Sequence, residues 1–355
     1  ALIGINGVTS TNLSSVLSTI AATTDNGSGI DDLAKLQGVV DTGIANARSA
    51  SQAIIANYDG TNTVPTLADF VNIGVTGVIS GQIAAINTFI AVRPAVDTDS
   101  QAEVQAIVTI GAAENVAALA KIAAYAQDNG VDLITNPAPV LADYTALGVT
   151  GIGGTGQPTV AMLSSALADT DITGTLADTA AKVQTIVDAY QAIVQSADGE
   201  ANNDSDNPTQ AQYAAIGING VNTLEEEGLL GDVLDTANRN GTATDAAAVD
   251  SVAKLQTLAD AVQNVMDGDA SLAELQSLGI TGVTAQNLLA VQAALAAATD
   301  ATQLNSLSGA QSIVTTATAS YDTAAAKIAA YAQDNGANLI TNPAPVLADY
   351  TALGV

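Results

Sequence analysis

Apolar residues along this chain recur at helical spacing. Val183, Ile186, Val187, Tyr190, Ile193 and Val194 fall at i, i+3, i+4, i+7, i+10 and i+11, which predicts one buried stripe on a long amphipathic helix. Asp198-Gly199 follows, and glycine just past the last periodic residue is a common helix stop. Upstream, Val160, Leu163, Ala166 and Leu167 predict a shorter helix. Downstream, Asn207-Pro208-Thr209 opens a third, running from Gln210 to Ile216 and ended by Gly217; proline is well suited to a helix start because its missing amide has no intrahelical partner there. The pattern is short helix, long helix, short helix, glycine.

That pattern is written repeatedly. Leu147-Gly148-Val149-Thr150-Gly151-Ile152 recurs as Ile3-Gly4-Ile5-Asn6-Gly7-Val8, Ile73-Gly74-Val75-Thr76-Gly77-Val78, Ile216-Gly217-Ile218-Asn219-Gly220-Val221 and Leu278-Gly279-Ile280-Thr281-Gly282-Val283, and begins again at Leu353-Gly354-Val355. The spacings are 70, 74, 69, 62 and 75 residues. A fixed period of this kind signals a repeat architecture. We therefore expect an all-α fold, a tandem array of small helical-bundle modules of about 70 residues stacked into a rod or filament. The modules would be residues 1–72, 73–146, 147–215, 216–277 and 278–355. The chain begins and ends inside the motif, so further copies are expected on both sides.

The copies share finer marks. Their long helices carry Leu36-Gln37, Val104-Gln105, Val183-Gln184, Leu255-Gln256 and Ala310-Gln311 at equivalent places. Phe70, Tyr144, Tyr213, Leu275 and Tyr350 stand three residues before the turn hydrophobe, which puts both on one helix face. These five are expected to pack the joint between adjacent modules, because aromatics at helical spacing bury area. Above the short period lies a longer one: residues 121–149 recur as 327–355 with two differences, Val131 to Ala337 and Asp132 to Asn338.

Composition narrows the function. Hydrophobic residues make up 48% and aromatics 3%, so the cores are built from small aliphatic side chains. A module of that size and content buries little surface alone. Stacked modules would share cores across their joints, and stability would become a sum of nearest-neighbour terms. Eight Lys and Arg face 36 Asp and Glu, a formal charge of −28. This argues against nucleic acid, which needs a basic face, and against anionic membrane surfaces. It favours divalent cations. No uninterrupted apolar run reaches the length of a bilayer span, so membrane insertion is not expected.

The best candidate metal site is the acidic loop after the third long helix. Asp198, Glu200, Asn202, Asp204 and Asp206 alternate along it, an oxygen-rich set suited to Ca²⁺. The loop lacks the sixth-position Gly and twelfth-position Glu of an EF-hand. The matching loop one copy later is only Asp267-Gly268-Asp269. Gly151-Ile152-Gly153-Gly154-Thr155-Gly156 lacks the Lys of a phosphate loop and reads as a flexible joint. With no His and no Cys, the commonest general base, the thiol nucleophile and most zinc ligands are missing, and no catalytic activity is expected. Asn12, Asn26, Asn203 and Asn240 sit in N-x-S/T sequons, which we read as chance matches.

The segment Leu141-Ala142-Asp143-Tyr144-Thr145-Ala146-Leu147-Gly148-Val149-Thr150-Gly151-Ile152 resembles a unit of very long tandem-repeat proteins of Gram-negative bacteria. Those are cell-surface adhesins and biofilm-matrix proteins, often exported by type I secretion. The acidic bias and the lack of Cys point the same way. The resemblance implies an extracellular or cell-surface location, and a structural role as an adhesin stalk or matrix filament. The partners expected are neighbouring modules, other copies of the chain and divalent cations. The rival reading is a module that binds a glycan or a protein.

Overall fold

The computed structural model describes residues 4–24, 26–197, 199, 207–236, 249–298 and 303–355. The fold is all-α, and no strand occurs among the described residues. The helices fall in threes. Copy one holds α1 (Leu13–Ala21), α2 (Leu33–Ala56) and α3 (Leu67–Asn72); copy two holds α4 (Ile83–Ala91), α5 (Gln101–Gln127) and α6 (Leu141–Ala146). Copy three contributes α7 (Val160–Leu167), α8 (Ala180–Ser196) and α9 (Gln210–Ala215), and copy four α10 (Leu224–Asp235), α11 (Val252–Asp267) and α12 (Leu272–Ser277). Copy five ends with α13 (Leu288–Ala296), α14 (Leu307–Gln333) and α15 (Leu347–Thr351).

The chain divides into two compact units, one of residues 1–124, 136–150 and 175–183, the other of 125–135, 151–174 and 184–355. In the first, α1 and α2 lie close enough that a Cβ on Gly43 would sit 2.6 Å from the Val16 Cα. Ser15 fixes the crossing by donating its hydroxyl to the Gly43 carbonyl at 2.8 Å. Asp32 caps α2 by accepting the Lys35 amide at 2.8 Å, satisfying a donor that has no partner inside the helix. The core of this unit gathers Ile55, Phe70, Ile73 and Val75 with Ile86, Ile90, Val104, Ile107 and Val108. It therefore draws on both copies, across the glycine turn between them.

That core takes up part of α5. By length and composition α5 is apolar enough to cross a bilayer, which counting uninterrupted apolar residues did not show. Its Val104, Ile107 and Val108 are spent on the shared core, and Glu103, Glu114 and Lys121 interrupt it.

The second unit repeats the principle. Leu163 and Leu167 of α7, Tyr190 and Ile193 of α8, Leu229 and Leu234 of α10 and Val262 of α11 are buried. Polar links tie the helices between copies three and four: the Tyr190 hydroxyl donates to the Val249 carbonyl at 3.1 Å, the Ser196 hydroxyl to Asp235 at 3.0 Å, and the Val252 amide to the Ser165 hydroxyl at 2.9 Å. Asp232 of copy four accepts the Leu307 amide at the start of α14 at 2.7 Å. The glycine-rich stretch expected as a flexible joint forms a hydrogen-bonded loop at the boundary of the two units. The Gly153 amide donates to the Pro158 carbonyl at 2.9 Å, and the Gly154 amide to the Gln157 side chain at 2.9 Å. Positive φ at Gly153 (82°) and Gly156 (68°) lets the chain fold back on itself.

Candidate functional site

The feature that recurs in every copy is the turn that closes one and opens the next. Each short helix begins with an acid or amide at its third position that reaches back to the residue before the helix. Asp69 accepts the Thr66 amide at 2.8 Å, Gln212 the Thr209 amide at 2.8 Å and Glu274 the Ser271 amide at 2.7 Å. This is one half of a capping box; Thr209 and Ser271 complete it by accepting the Gln212 and Glu274 amides. Asp143 and Asp349 close on the Val140 and Val346 amides at 2.7 and 2.6 Å. Valine has no side-chain acceptor, so there only the carboxylate half of the box exists.

The helix then stops on glycine. Gly74, Gly148, Gly217, Gly279 and Gly354 all have positive φ, between 71° and 93°. The residue after each glycine donates its amide back to the carbonyl of the ring or Leu position: Val75 to Phe70, Val149 to Tyr144, Ile218 to Tyr213, Ile280 to Leu275 and Val355 to Tyr350. The glycine amide donates three residues back. The pair of bonds is a Schellman motif, whose usual companion is an apolar contact across the turn. Phe70 and Val75 make that contact within the shared core.

The recurrent glutamine holds the far side of the turn. Gln105 accepts the Thr76 amide at 2.8 Å and donates to the Thr76 carbonyl at 3.0 Å. Gln37 does the same to Asn6 (2.9 and 3.2 Å), Gln256 to Asn219 (2.8 and 3.1 Å) and Gln311 to Thr281 (2.8 and 3.1 Å). A side-chain amide thus pairs with a main-chain peptide as another strand would. In these four copies the clamp ties the turn to the long helix of its own copy. An acid one turn on steadies several of these glutamines: Gln37 donates to Asp41, Gln184 to Asp188 and Gln256 to Asp260, each at 2.7 Å.

Of the five residues expected at the joints, Phe70, Tyr144, Tyr213 and Leu275 are buried, and Tyr350 is 44% exposed. Burial raises the Tyr213 phenol well above its ordinary range, with the charges of Glu227 and Asp235 adding to the effect; the hydroxyl finds no hydrogen-bond partner among the described residues. Asp349 accepts the Lys327 ammonium at 2.6 Å, and this bond with the Val346 amide holds its carboxyl below the ordinary range. Lys121 and Asp143 form the same pair at 2.6 Å. These lysines escaped the sequence reading; the signal was there, since both copies of the 29-residue segment carry the lysine 22 positions before the acid.

The candidate calcium ligands Asp198, Glu200, Asn202, Asp204 and Asp206 lie outside the described residues. Among the described residues, no three His, Cys, Asp or Glu side chains gather as a metal site. Of the sequons, Asn12 is buried and caps its own turn, accepting the Thr9 amide at 2.8 Å and donating to the Gly7 carbonyl at 3.0 Å. Asn26 is exposed and accepts the Ser28 hydroxyl at 2.7 Å; Asn203 and Asn240 are not among the described residues. What the clamp bonds do is mechanical: they hold a turn against the long helix that follows it, with Phe70, Tyr144, Tyr213 or Leu275 buried beside the turn. No protein-family model matches the chain, and no curated protein and no solved structure matches it either.

Proposed function

We propose that the chain is an extracellular structural repeat region, the stalk of a bacterial surface adhesin or the body of a matrix filament. The observation that carries this reading is the core around Phe70, which one copy cannot complete without the next. Modules that share cores resist bending and extension as a unit, where modules on linkers would not. The clamp holds the turn rigidly on its own copy in copies one, two, four and five. Ca²⁺ held by the acidic 198–206 segment would stiffen the array further, and a melting temperature that rises with calcium and falls with chelator would support that part.

The central test is transmission across the joint. Ile90→Asp in copy two should strip hydrogen-exchange protection from the end of α2 and from α3 in copy one. If both keep their wild-type protection, the copies are independent and the stalk reading fails.

One observation favours a protein-binding adhesion module instead. The loop between α5 and α6 exposes Leu133 and Ile134, and its duplicate exposes Leu339 and Ile340, with both isoleucines at 96%. Bare aliphatic side chains kept in both copies are what a partner protein would cover. Loss of adhesion in Ile134→Asp, Ile340→Asp double variants, with the fold intact, would favour that reading.

A further inference from the structure

The first and second helices of a copy meet at one small residue. In copy one it is Gly43, where a Cβ would sit 2.6 Å from the Val16 Cα and 3.2 Å from the Thr19 hydroxyl. In copy two it is Gly111, where a Cβ would sit 3.2 Å from the Phe89 ring and 3.6 Å from Ile86. Counted from the glycine turn and the clamp glutamine, copy five has Ala317 at this place. It has Val291 where the others have Val16 and Ile86, and Ala294 where they have Thr19 and Phe89.

Both changes loosen the pair. The Ala317 methyl is the atom for which the approach of α1 to α2 leaves no room, and close-packed interiors do not absorb such an overlap. So α13 cannot approach α14 here as α1 approaches α2. Ala294 is then too small to fill the space that Phe89 fills in copy two. A cavity of about 670 Å³ lies between α13, α14 and α15, walled by Ala293, Ala294, Ile313 and Ala317 with Ala348 and Thr351. None of the residues lining it is charged. Thr316 and Ser320 stand on its α14 side, and their hydroxyls donate back to the Ser312 and Thr316 carbonyls, each at 2.9 Å.

The cavity is not a joint between copies. Copy two packs on copy one around Phe70. On copy one, the counterparts of Ala293, Thr316, Ser320 and Thr351 are Ser18, Thr42, Asn46 and Val71, and all four stay exposed. A following copy therefore leaves this face open.

We propose that this cavity binds a small neutral aromatic molecule, its ring seated where copy two places that of Phe89. The volume is ordinary for a small-molecule site. Walls without charge favour a guest without charge, because an ion would lose its hydration there and gain no partner. The inference stands apart from the stalk reading, which gives this groove no task.

Indole alone, added to the full chain, is the probe. It should move the methyl resonances of Ala294 and Ala317 and leave that of Ala47, in copy one, in place. Ala294→Phe supplies the missing ring from the chain itself, so it should abolish the indole shifts and raise the melting temperature. Ala317→Gly lets the helices close as in copy one and should weaken indole binding while the circular dichroism stays helical; it decides the matter if Ala294→Phe does not fold. No shift in the wild type up to the solubility of indole, or binding that survives these substitutions, overturns the proposal.

Discussion

Residues 121–149 and 327–355 differ at two positions in sequence, and the structure gives them the same shape in different surroundings. The long helices end at Gln127 and Gln333. Asn129 and Asn335 follow with φ of 54° and 55°, an unusual left-handed pair. Lys121 meets Asp143 and Lys327 meets Asp349, both at 2.6 Å. Yet Tyr144 is 1% exposed and Tyr350 44%, and Ile122 is fully buried while Ile328 is half-exposed. Local shape here follows local sequence. Burial follows the neighbours, which the segment itself does not encode.

The sharpest way to break this comparison is to truncate the rings. Tyr144→Ala should cost about 3–5 kcal/mol, as removal of a buried aromatic does. Tyr350→Ala should cost less than about 1 kcal/mol, as at an exposed position. Urea unfolding of the two variants measures both, and equal losses would mean that the surroundings of the two segments do not differ as the structure has them.

The clamp should show the opposite behaviour, because its geometry is the same in both copies. Gln105→Ala and Gln311→Ala should each cost about 1 kcal/mol, the net worth of a modest hydrogen-bonded pair open to water. Each should also raise the exchange rate of one amide, Thr76 or Thr281. A large inequality between them would show that the clamp depends on the copy it sits in.

The smallest effect separates the segments at one of their two differences. Asp132 accepts the Ile134 and Thr135 amides at 3.2 and 3.0 Å, and the Thr135 bonds hold its carboxyl below the ordinary range. A carboxyl depressed in the folded state stabilises above its unfolded pKa, and that contribution is lost as pH falls through the folded value. The Ile134 and Thr135 amide resonances should therefore move in the acid range. In the duplicate, Asn338 accepts the Thr341 amide at 3.3 Å and carries no proton to gain, so this step should be missing there. Asp132→Asn should remove it from the first loop as well; a step that survives the substitution would assign it to another group.

Much of this was legible in the residues. The three-helix order follows from helical spacing, Gly stops and Pro or Thr starts, all of which act over a few residues. The turn was visible as a repeated string, and its glycines as the residues that tolerate positive φ. The recurrent glutamine stood out as a mark of register, but its task did not. Gln105 lies 29 residues from Thr76, and only folding brings them together. The bonds that close the loop after Gly151 were not legible for the same reason. Glycine content says the chain can bend freely there; the bond from the Gly153 amide to the Pro158 carbonyl fixes which bend it takes.

By itself the sequence determined that the fold is helical and where the glycine turns fall, with one ring or leucine position before each, because caps, glycine stops and apolar stripes are short-range forces written in adjacent residues. Tertiary structure alone decided which of those five positions lie in a core. The same Leu-Ala-Asp-Tyr stretch is covered at Tyr144 and bare at Tyr350, since hiding apolar surface from water needs a second surface, and that surface comes from elsewhere in the fold.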